Sequence, residues 1–305
     1  MGLEVALSPL AGSVREILSG RTDGASEVAA AIAKPPGAPG WFEPTDPIWT
    51  VHGSVATFLG GIRSLLLQAL HPLALAGVDR HSSYREDPFG RLQRTGAFIA
   101  ATTYGSVDLA EQTIRAIQSM HARVQGVAPD GRAYSAQDPR LLQWVHVGLT
   151  DSMLQAYLDH GRDGEIDADG YVADMAVVGS AMGVIDPPRT YRELGEQLEG
   201  FRPELRVDDD VRRTQGFILN APLPLALRPG YRILARAAWN SLPPWALAML
   251  GSTPRLAPVD RTLADTGLRV LRKALVASPA RLAGERRLSG EPDPATGGHG
   301  PRTGP

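Results

Sequence analysis

The sequence predicts a fold made almost entirely of α-helices, and three observations predict it. Apolar residues recur at helical spacing over most of the chain, capping residues precede several of these segments, and alternating strand-like runs are missing. With 305 residues, the chain is long enough to bury a sizeable core. It contains no cysteine, which excludes disulfides, zinc–thiolate sites, iron–sulfur clusters and thiol catalysis.

One helical domain is expected over residues 45–283, between two segments of different composition. A Pro/Gly-rich stretch at 34–48 leads into it from an N-terminal extension, residues 1–44. Residues 284–305 have too little apolar surface to fold and are predicted to form a disordered C-terminal tail. Since the chain shows no secretory signal and no apolar run of about 18 residues, we expect a cytoplasmic protein without a spanning helix.

Capping signals place the helices in order along the chain. The apolar segment 54–76 predicts a deeply buried helix that ends at Gly77. Ser106 is the expected N-cap of a helix that continues to Gly126. Further helices are expected from Asp138–Pro139 to His160, after the Thr190–Glu193 capping box, and around 210–219, 230–240 and 259–278.

Three predicted helices each place one histidine in an apolar stripe. The stripes are Leu67, Leu70, His71 and Ala74; Ile114, Ile117, His121 and Val124; and Leu142, Val145, His146, Leu149 and Met153. A single histidine on such a face is usually a core residue whose hydrogen bond is satisfied. Three in one chain favour a metal or haem pocket, because neutral imidazole is the commonest protein metal ligand.

Known metal-binding motifs limit which kind of metal site these histidines could form. No glutamate has a histidine three residues on, so the di-iron motif of helical bundles is absent, and there is no His-Glu-x-x-His zinc motif. Covalent haem attachment is excluded because cysteine is missing. Noncovalent haem remains, since it needs only one axial histidine in an apolar pocket.

The segment RLQRT, residues 91–95, carries charges at helical spacing. If it is helical, Arg91, Arg94 and Thr95 project from one face. Such a face is often simply solvated, but Phe89 and Phe98 indicate that the segment is partly buried. Buried arginines need carboxylate or phosphate-like partners, and haem propionates would supply them.

Four stretches together carry a family resemblance. They are HPLALAGVDRHSSYREDPFGRLQRT at 71–95, IQSMHARVQG at 117–126, YSAQDPRLLQWVHVGLTDSMLQAY at 134–157 and PPRTYRELGEQLEGF at 187–201. In order and spacing the sequence resembles the bacterial latex-clearing proteins (rubber oxygenases) and the MpaB-type oxygenases. The resemblance spans most of residues 45–255.

The resemblance implies a globin-like helical core that binds haem b noncovalently, with additional helices around it. It places the proximal iron ligand at His121 and the family's Arg-x-x-Lys-Thr motif at Arg91, Arg94 and Thr95. The implied function is a haem-dependent oxygenase that uses dioxygen on an apolar, unsaturated small molecule or prenyl-type chain. Arg91 would bind a propionate or the distal network, and Thr95 would donate a hydrogen bond near bound oxygen.

The sequence departs from the family pattern at the distal side. Arg94 stands where the family has a lysine, and a guanidinium has no lone pair with which to bind iron. The distal position would then be empty, water-bound or filled by His71, while His146 would orient His121 or fill the core. Residues 66–78 contain no carboxylate to serve as the family's acid/base group, and the missing secretion signal argues against polymeric rubber as substrate.

Two other interpretations stay open. The chain could be a haem or hydrophobic-ligand binding protein without turnover, because a globin-like pocket does not imply catalysis. Weak membrane association could occur through the apolar, arginine-containing segment 221–251, although core helices broken by prolines explain it more simply. The net charge of -2 argues against a nucleic-acid partner, and the oligomeric state is left open.

Overall fold

The computed structural model describes residues 27–82, 85–161, 164–252, 257–275 and 278–290. This part of the chain holds 14 α-helices, a short 3-10 turn at Arg202–Glu204 and one two-stranded antiparallel sheet, so the all-α prediction is confirmed. The elements are α1 (Glu27–Ile32), α2 (Pro47–Gly53), α3 (Thr57–Gln68), α4 (Pro72–His81), α5 (Pro88–Tyr104), α6 (Val107–His121), β1 (Gln125–Val127), β2 (Ala133–Ser135), α7 (Pro139–His160), α8 (Ala168–Met182), α9 (Tyr191–Gly200), α10 (Asp209–Leu219), α11 (Arg228–Asn240), α12 (Pro244–Met249), α13 (Ala257–Leu275) and α14 (Pro279–Ser289).

Helices α3 and α7 pack closely at the centre of the core. A Cβ at Gly60 would lie 2.9 Å from the Sδ of Met153, so the two backbones can approach only because residue 60 is glycine. Arg63 is buried in the same interface, where its Nη1 donates to Asp151 Oδ2 at 2.5 Å and to Ser152 Oγ at 2.8 Å. The buried guanidinium is therefore paired and hydrogen-bonded.

The prediction of one continuous helix over residues 54–76 was wrong. The chain breaks after Gln68, and a new helix, α4, begins at Pro72 with an axis bent by 109°. Proline lacks the amide hydrogen that would continue the first helix, and its ring clashes with the carbonyl four residues earlier. Among the described residues no single helix is long and apolar enough to cross a membrane, and only this bent pair passes that test by length and composition together.

The predicted N-caps are confirmed by their hydrogen bonds. Ser106 Oγ accepts from the Leu109 amide at 3.3 Å, and Asp138 Oδ1 accepts from the Arg140 amide at 2.8 Å. Thr190 Oγ1 accepts from the Glu193 amide at 3.2 Å. Helix α6 ends at His121, earlier than expected, because the chain then enters an unpredicted hairpin in which β1 pairs with β2.

Both predicted domain boundaries need correction. Ile32 and Phe42 are buried in the core, so residues 27–44 belong to the folded domain and not to an extension. At the other end α14 continues to Ser289, and the fully buried Arg287 donates to the carbonyls of Tyr104 and Gly105. Residues 284–290, assigned to the tail by composition, are thus folded, while 1–26 and 291–305 lie outside the described residues.

The segment 221–251 contributes to the core. It forms α11 and α12, in which Ala238, Leu242 and Leu247 are buried. Its two tryptophans are partly buried and pack against the same core. Most of its apolar residues are therefore used for folding, as the simpler interpretation predicted.

Candidate functional site

His121, the predicted iron ligand, is the last residue of α6. Its side chain is half-buried and continues a face that begins at the buried Ile114. Burial lowers the pKa of His121, so the imidazole is neutral at pH 7 and keeps a nitrogen lone pair. The helix thus delivers a neutral imidazole to its own C-terminal end.

Arg91 lies in the first turn of α5, which Asp87 starts by accepting a hydrogen bond from the Gly90 amide at 2.8 Å. The Arg91 side chain is half-buried, and its Nη1 donates to Ser82 Oγ at 2.9 Å, just past the end of α4. A guanidinium held in this way presents its charge beside the end of α4.

The other two residues of the motif point elsewhere. Arg94 is 62 % exposed, with its Nη1 3.7 Å from Asp87 Oδ2. Thr95 is exposed, and its hydroxyl donates to the Arg91 carbonyl at 3.1 Å. The predicted role of Thr95 near dioxygen would require its hydroxyl to exchange that hydrogen bond.

The C-terminal half of α4 connects Arg91 with the end of α6. Val124 follows His121 by three residues, and its Cγ1 lies 3.8 Å from where a Cβ at Gly77 would stand. Ser82, the partner of Arg91, follows the last turn of the same helix. We call this region, formed by residues 77–82, the start of α5 and the end of α6, the α4–α6 corner.

His146 is buried on α7 and faces α8. A Cβ at Gly179 would lie 2.7 Å from its Cε1, so the ring fills the space left by that glycine. Burial lowers the pKa of His146 to about 4, and no described residue forms a hydrogen bond with its Nε2. Gln118 Nε2 donates to the Ala181 carbonyl at 3.0 Å, so α6 reaches the same end of α8.

His71 occupies a different environment, as the N-cap of α4. Its ring lies near Trp144 and Phe201, with centroids 6.1 and 6.5 Å away. Its Nε2 is 3.5 Å from Glu204 Oε2, within ion-pair range but without hydrogen-bond geometry. Burial lowers the pKa of His71 against the opposing effect of Glu204, so we take the imidazole as neutral. A distal-ligand role would require His71 to leave these contacts.

Glu204 was missed by the sequence analysis. Arg140 donates to its Oε1 from Nε at 2.9 Å and from Nη2 at 2.6 Å, which leaves Oε2 directed at His71. Burial raises the pKa of Glu204, but the hydrogen bonds and charge of Arg140 outweigh it and lower the pKa overall. No spacing in the sequence signals this pairing, because the three residues come from separate elements.

His52 was also missed, and its contacts identify it as structural. Its Nδ1 lies 2.8 Å from Thr103 Oγ1 and its Nε2 lies 3.1 Å from the Tyr171 hydroxyl. Burial lowers its pKa to about 3, so it stays neutral. Both ring nitrogens are engaged, in contrast to His146.

The donor set limits which cofactor these residues can hold. Within the described ranges, no group of three or more His, Asp or Glu side chains could hold a metal ion. A haem would need one neutral imidazole, which His121 could supply, and a cation for its carboxylates, which Arg91 could supply. The orphaned Nε2 of His146 is a further buried nitrogen that a ligand could satisfy.

A surface cleft of about 440 Å³ lies elsewhere, between the end of α8 and α9. It is lined by Ser180, Val184, Asp186, Pro187, Arg189, Glu193 and Gln197, and none of these is a predicted site residue. The candidate site is placed at the α4–α6 corner because Arg91 contacts Ser82 there and Val124, three residues after His121, lies near Gly77.

Comparison with known proteins gives one result. The sequence model of the family described as ER-bound oxygenase mpaB/B'/Rubber oxygenase, catalytic domain, matches residues 49–277, which is more than half of the chain. The matched range includes Arg91, His121 and His146. No curated protein and no solved structure gives a significant match.

Proposed function

This chain belongs to the mpaB/rubber oxygenase catalytic-domain family, and from that premise we propose that it is a haem b-dependent oxygenase. The family is one of oxygenases, so its members act on a substrate with dioxygen. The substrate class that we propose is an apolar, unsaturated small molecule or prenyl-type chain. Haem, when bound, would supply the iron at which dioxygen binds and is activated.

Two observations support this proposal: a half-buried, neutral His121 at the end of α6, and an Arg91 side chain held beside the end of α4. His121 would contribute a neutral imidazole to bind the haem iron, since burial lowers its pKa. Arg91 contributes a fixed positive charge for a propionate, after exchanging its hydrogen bond to Ser82. Arg94 is exposed and its guanidinium has no free lone pair, so it would not bind iron.

His146 would act as a buried neutral group on the α8 side. With its pKa lowered to about 4, it neither carries a charge at pH 7 nor donates from both nitrogens. Its unpartnered Nε2 could accept or donate one hydrogen bond to a bound ligand. We therefore propose that His146 orients a bound ligand through this hydrogen bond, and that His121 binds the iron.

Hemin titration tests the ligand assignment. The full chain is titrated with hemin and followed by its Soret band, beside His121→Ala and beside His52→Gln, which changes a histidine outside the candidate site whose ring nitrogens contact Thr103 and Tyr171. We expect the band to be lost or strongly shifted only in His121→Ala, and to return when imidazole is added. A wild-type chain that takes up no hemin contradicts the proposal.

A pair of arginine variants tests the propionate contact. Arg91→Gln should weaken hemin binding about tenfold, because a charge-assisted pair is lost. Arg94→Gln, three residues away and exposed, should leave the affinity unchanged. Equal loss in both variants would show that general charge, and not the position of Arg91, governs binding.

Turnover separates the oxygenase from a non-catalytic haem or hydrophobic-ligand binding protein. The haem-loaded chain is incubated with squalene, as an unsaturated apolar probe, under labelled dioxygen, and products are analysed for the label. Incorporation supports oxygenase activity. Tight hemin binding without incorporation over a panel of unsaturated chains would favour the binding protein instead.

A further inference from the structure

The loop that connects α10 with α11 presents an apolar side chain to solvent. Leu225 is 76 % exposed, the highest value for a large apolar side chain in the described part of the chain. The loop is nevertheless held in place, because Leu223 is buried and its carbonyl accepts from Arg228 Nε at 2.8 Å. An exposed leucine on a fixed loop is suited to contact another surface.

Arginines line the helix that follows this loop. Arg228, Arg232 and Arg236 are spaced four residues apart on α11, which places them on one face, and all three are exposed. The sequence from Val211 to Val259 contains six arginines and no acidic residue, although the whole chain has a net charge of -2. Positive charge is thus concentrated in this part of the sequence.

A small cleft lies between the loop and the helix. Its volume is about 200 Å³, and Asn220, Ala221, Pro222, Arg228, Tyr231 and Arg232 line it. The Tyr231 hydroxyl donates to the Ile218 carbonyl, which ties α11 to the end of α10. Two guanidinium groups at a cleft of this size suit the phosphate of a lipid headgroup.

We propose that this surface, residues 220–227 with the arginine face of α11, docks on anionic phospholipid membranes. Arg228 and Arg232 bind headgroup phosphate at the cleft, and Leu225 inserts among the acyl chains beside it. Arg236 adds attraction along the same face. An exposed apolar tip beside aligned arginines is the arrangement of an interfacial membrane contact, and it is independent of haem binding.

The test is flotation of the full chain with vesicles. Phosphatidylcholine vesicles are compared with vesicles that contain one quarter phosphatidylglycerol, at low and high salt. We expect the chain to float with the anionic vesicles and to be released by salt. Each arginine near such a surface contributes roughly fivefold to binding, so Arg228→Gln/Arg232→Gln should lower partitioning roughly 25-fold. Leu225→Ser should lower it roughly tenfold through lost apolar insertion.

The control removes the same charge elsewhere. Arg192→Gln/Arg202→Gln takes two exposed arginines from α9 and the turn after it, so it should bind like the wild type. Circular dichroism confirms that every variant is folded. The proposal is overturned if the wild type does not float, if the control loses as much binding as the Arg228/Arg232 pair, or if both surface variants float like the wild type.

A free phosphate ion is the remaining occupant to distinguish. The wild type and the Arg228→Gln/Arg232→Gln variant are melted in inorganic phosphate and in chloride of equal ionic strength. Stabilisation of the wild type alone by phosphate, without flotation, would assign the cleft to a soluble phosphate and overturn the membrane proposal. Flotation without specific stabilisation by phosphate supports it.

Discussion

The contact of His146 with Gly179 makes the packing of α7 against α8 testable by one methyl group. A Cβ at residue 179 would stand 2.7, 2.9 and 3.0 Å from the Cε1, Nδ1 and Nε2 of the imidazole. These distances are shorter than carbon contacts in well-packed cores, and the His146 ring is buried. Gly179→Ala therefore forces either the ring or the helix to move.

Two opposing effects decide the magnitude. Overpacking a core by one methyl group costs about 1–3 kcal/mol, while replacing glycine by alanine within a helix gains about 1 kcal/mol. Since three ring atoms lie within 3.0 Å of the new carbon, we take the upper half of the cost and expect a net loss of about 1–2 kcal/mol. For a chain of 305 residues, this corresponds to a decrease in Tm of about 2–4 °C.

Thermal unfolding of four variants checks this reasoning. Gly195→Ala is the control, because it lies within α9 with open space around the new carbon, and its Tm should rise by about 2 °C. His146→Ala removes the ring, so adding Gly179→Ala in that background should raise Tm instead of lowering it. A Gly179→Ala variant as stable as the wild type, or equally destabilised in both backgrounds, would refute the proposed clash.

Three further predictions concern titratable side chains that are buried or partly buried. Burial raises the pKa of Asp174 to about 6, so the folded protein favours the protonated carboxyl and loses stability as the pH rises through 6. Asp174→Asn should therefore increase the free energy of unfolding by about 1 kcal/mol at pH 8, after discounting for solvent screening, and should not change it below pH 4. Urea unfolding measures both. Arg287→Leu should cost about 3 kcal/mol because buried carbonyls lose their donor, whereas the exposed neighbour Arg286→Leu should change stability by less than about 0.5 kcal/mol. Because burial lowers the pKa of His52 to about 3, stability falls as pH drops from 6.5 towards 3, and His52→Gln should make that decline shallower; an unchanged slope would contradict the contribution of His52.

Local sequence signals were sufficient for most helix starts. Ser106, Asp138 and Thr190 cap the helices that they were predicted to cap, because a capping hydrogen bond spans only two or three residues. The same locality explains the error at 54–76. The apolar pattern was continuous there, but the first helix ends at Gln68 and a new one begins at Pro72, with its axis bent by 109°.

The ends of the domain could not be predicted from composition. The tail segment is rich in charge and glycine, yet Arg287 is buried because three backbone carbonyls from other parts of the chain surround its guanidinium. Gly284 of the same segment packs closely against Trp49 and Tyr104, which are also distant in the sequence. Composition measures average polarity, whereas burial depends on which surfaces meet.

For the candidate site too, the sequence selected residues, whereas the structure showed their surroundings. Periodicity and family resemblance selected Arg91, His121 and His146, and the structure places the first beside the end of α4, the second half-buried and the third buried. Nothing in the sequence indicated that His71 would face Glu204, or that both ring nitrogens of His52 would have polar partners. These partners lie on elements distant in the sequence.

The sequence by itself determined the all-α class, the positions of most helix N-termini and the family to which the chain belongs, since each follows from residue order within a few turns or from a long ordered match. Only the tertiary structure decided which buried histidines keep a nitrogen without a hydrogen bond, which arginines are exposed to solvent and which are buried in the core. The reason is physical. Hydrogen bonding and desolvation depend on atoms that separate helices bring together, and the spacing of residues in the sequence does not specify these contacts.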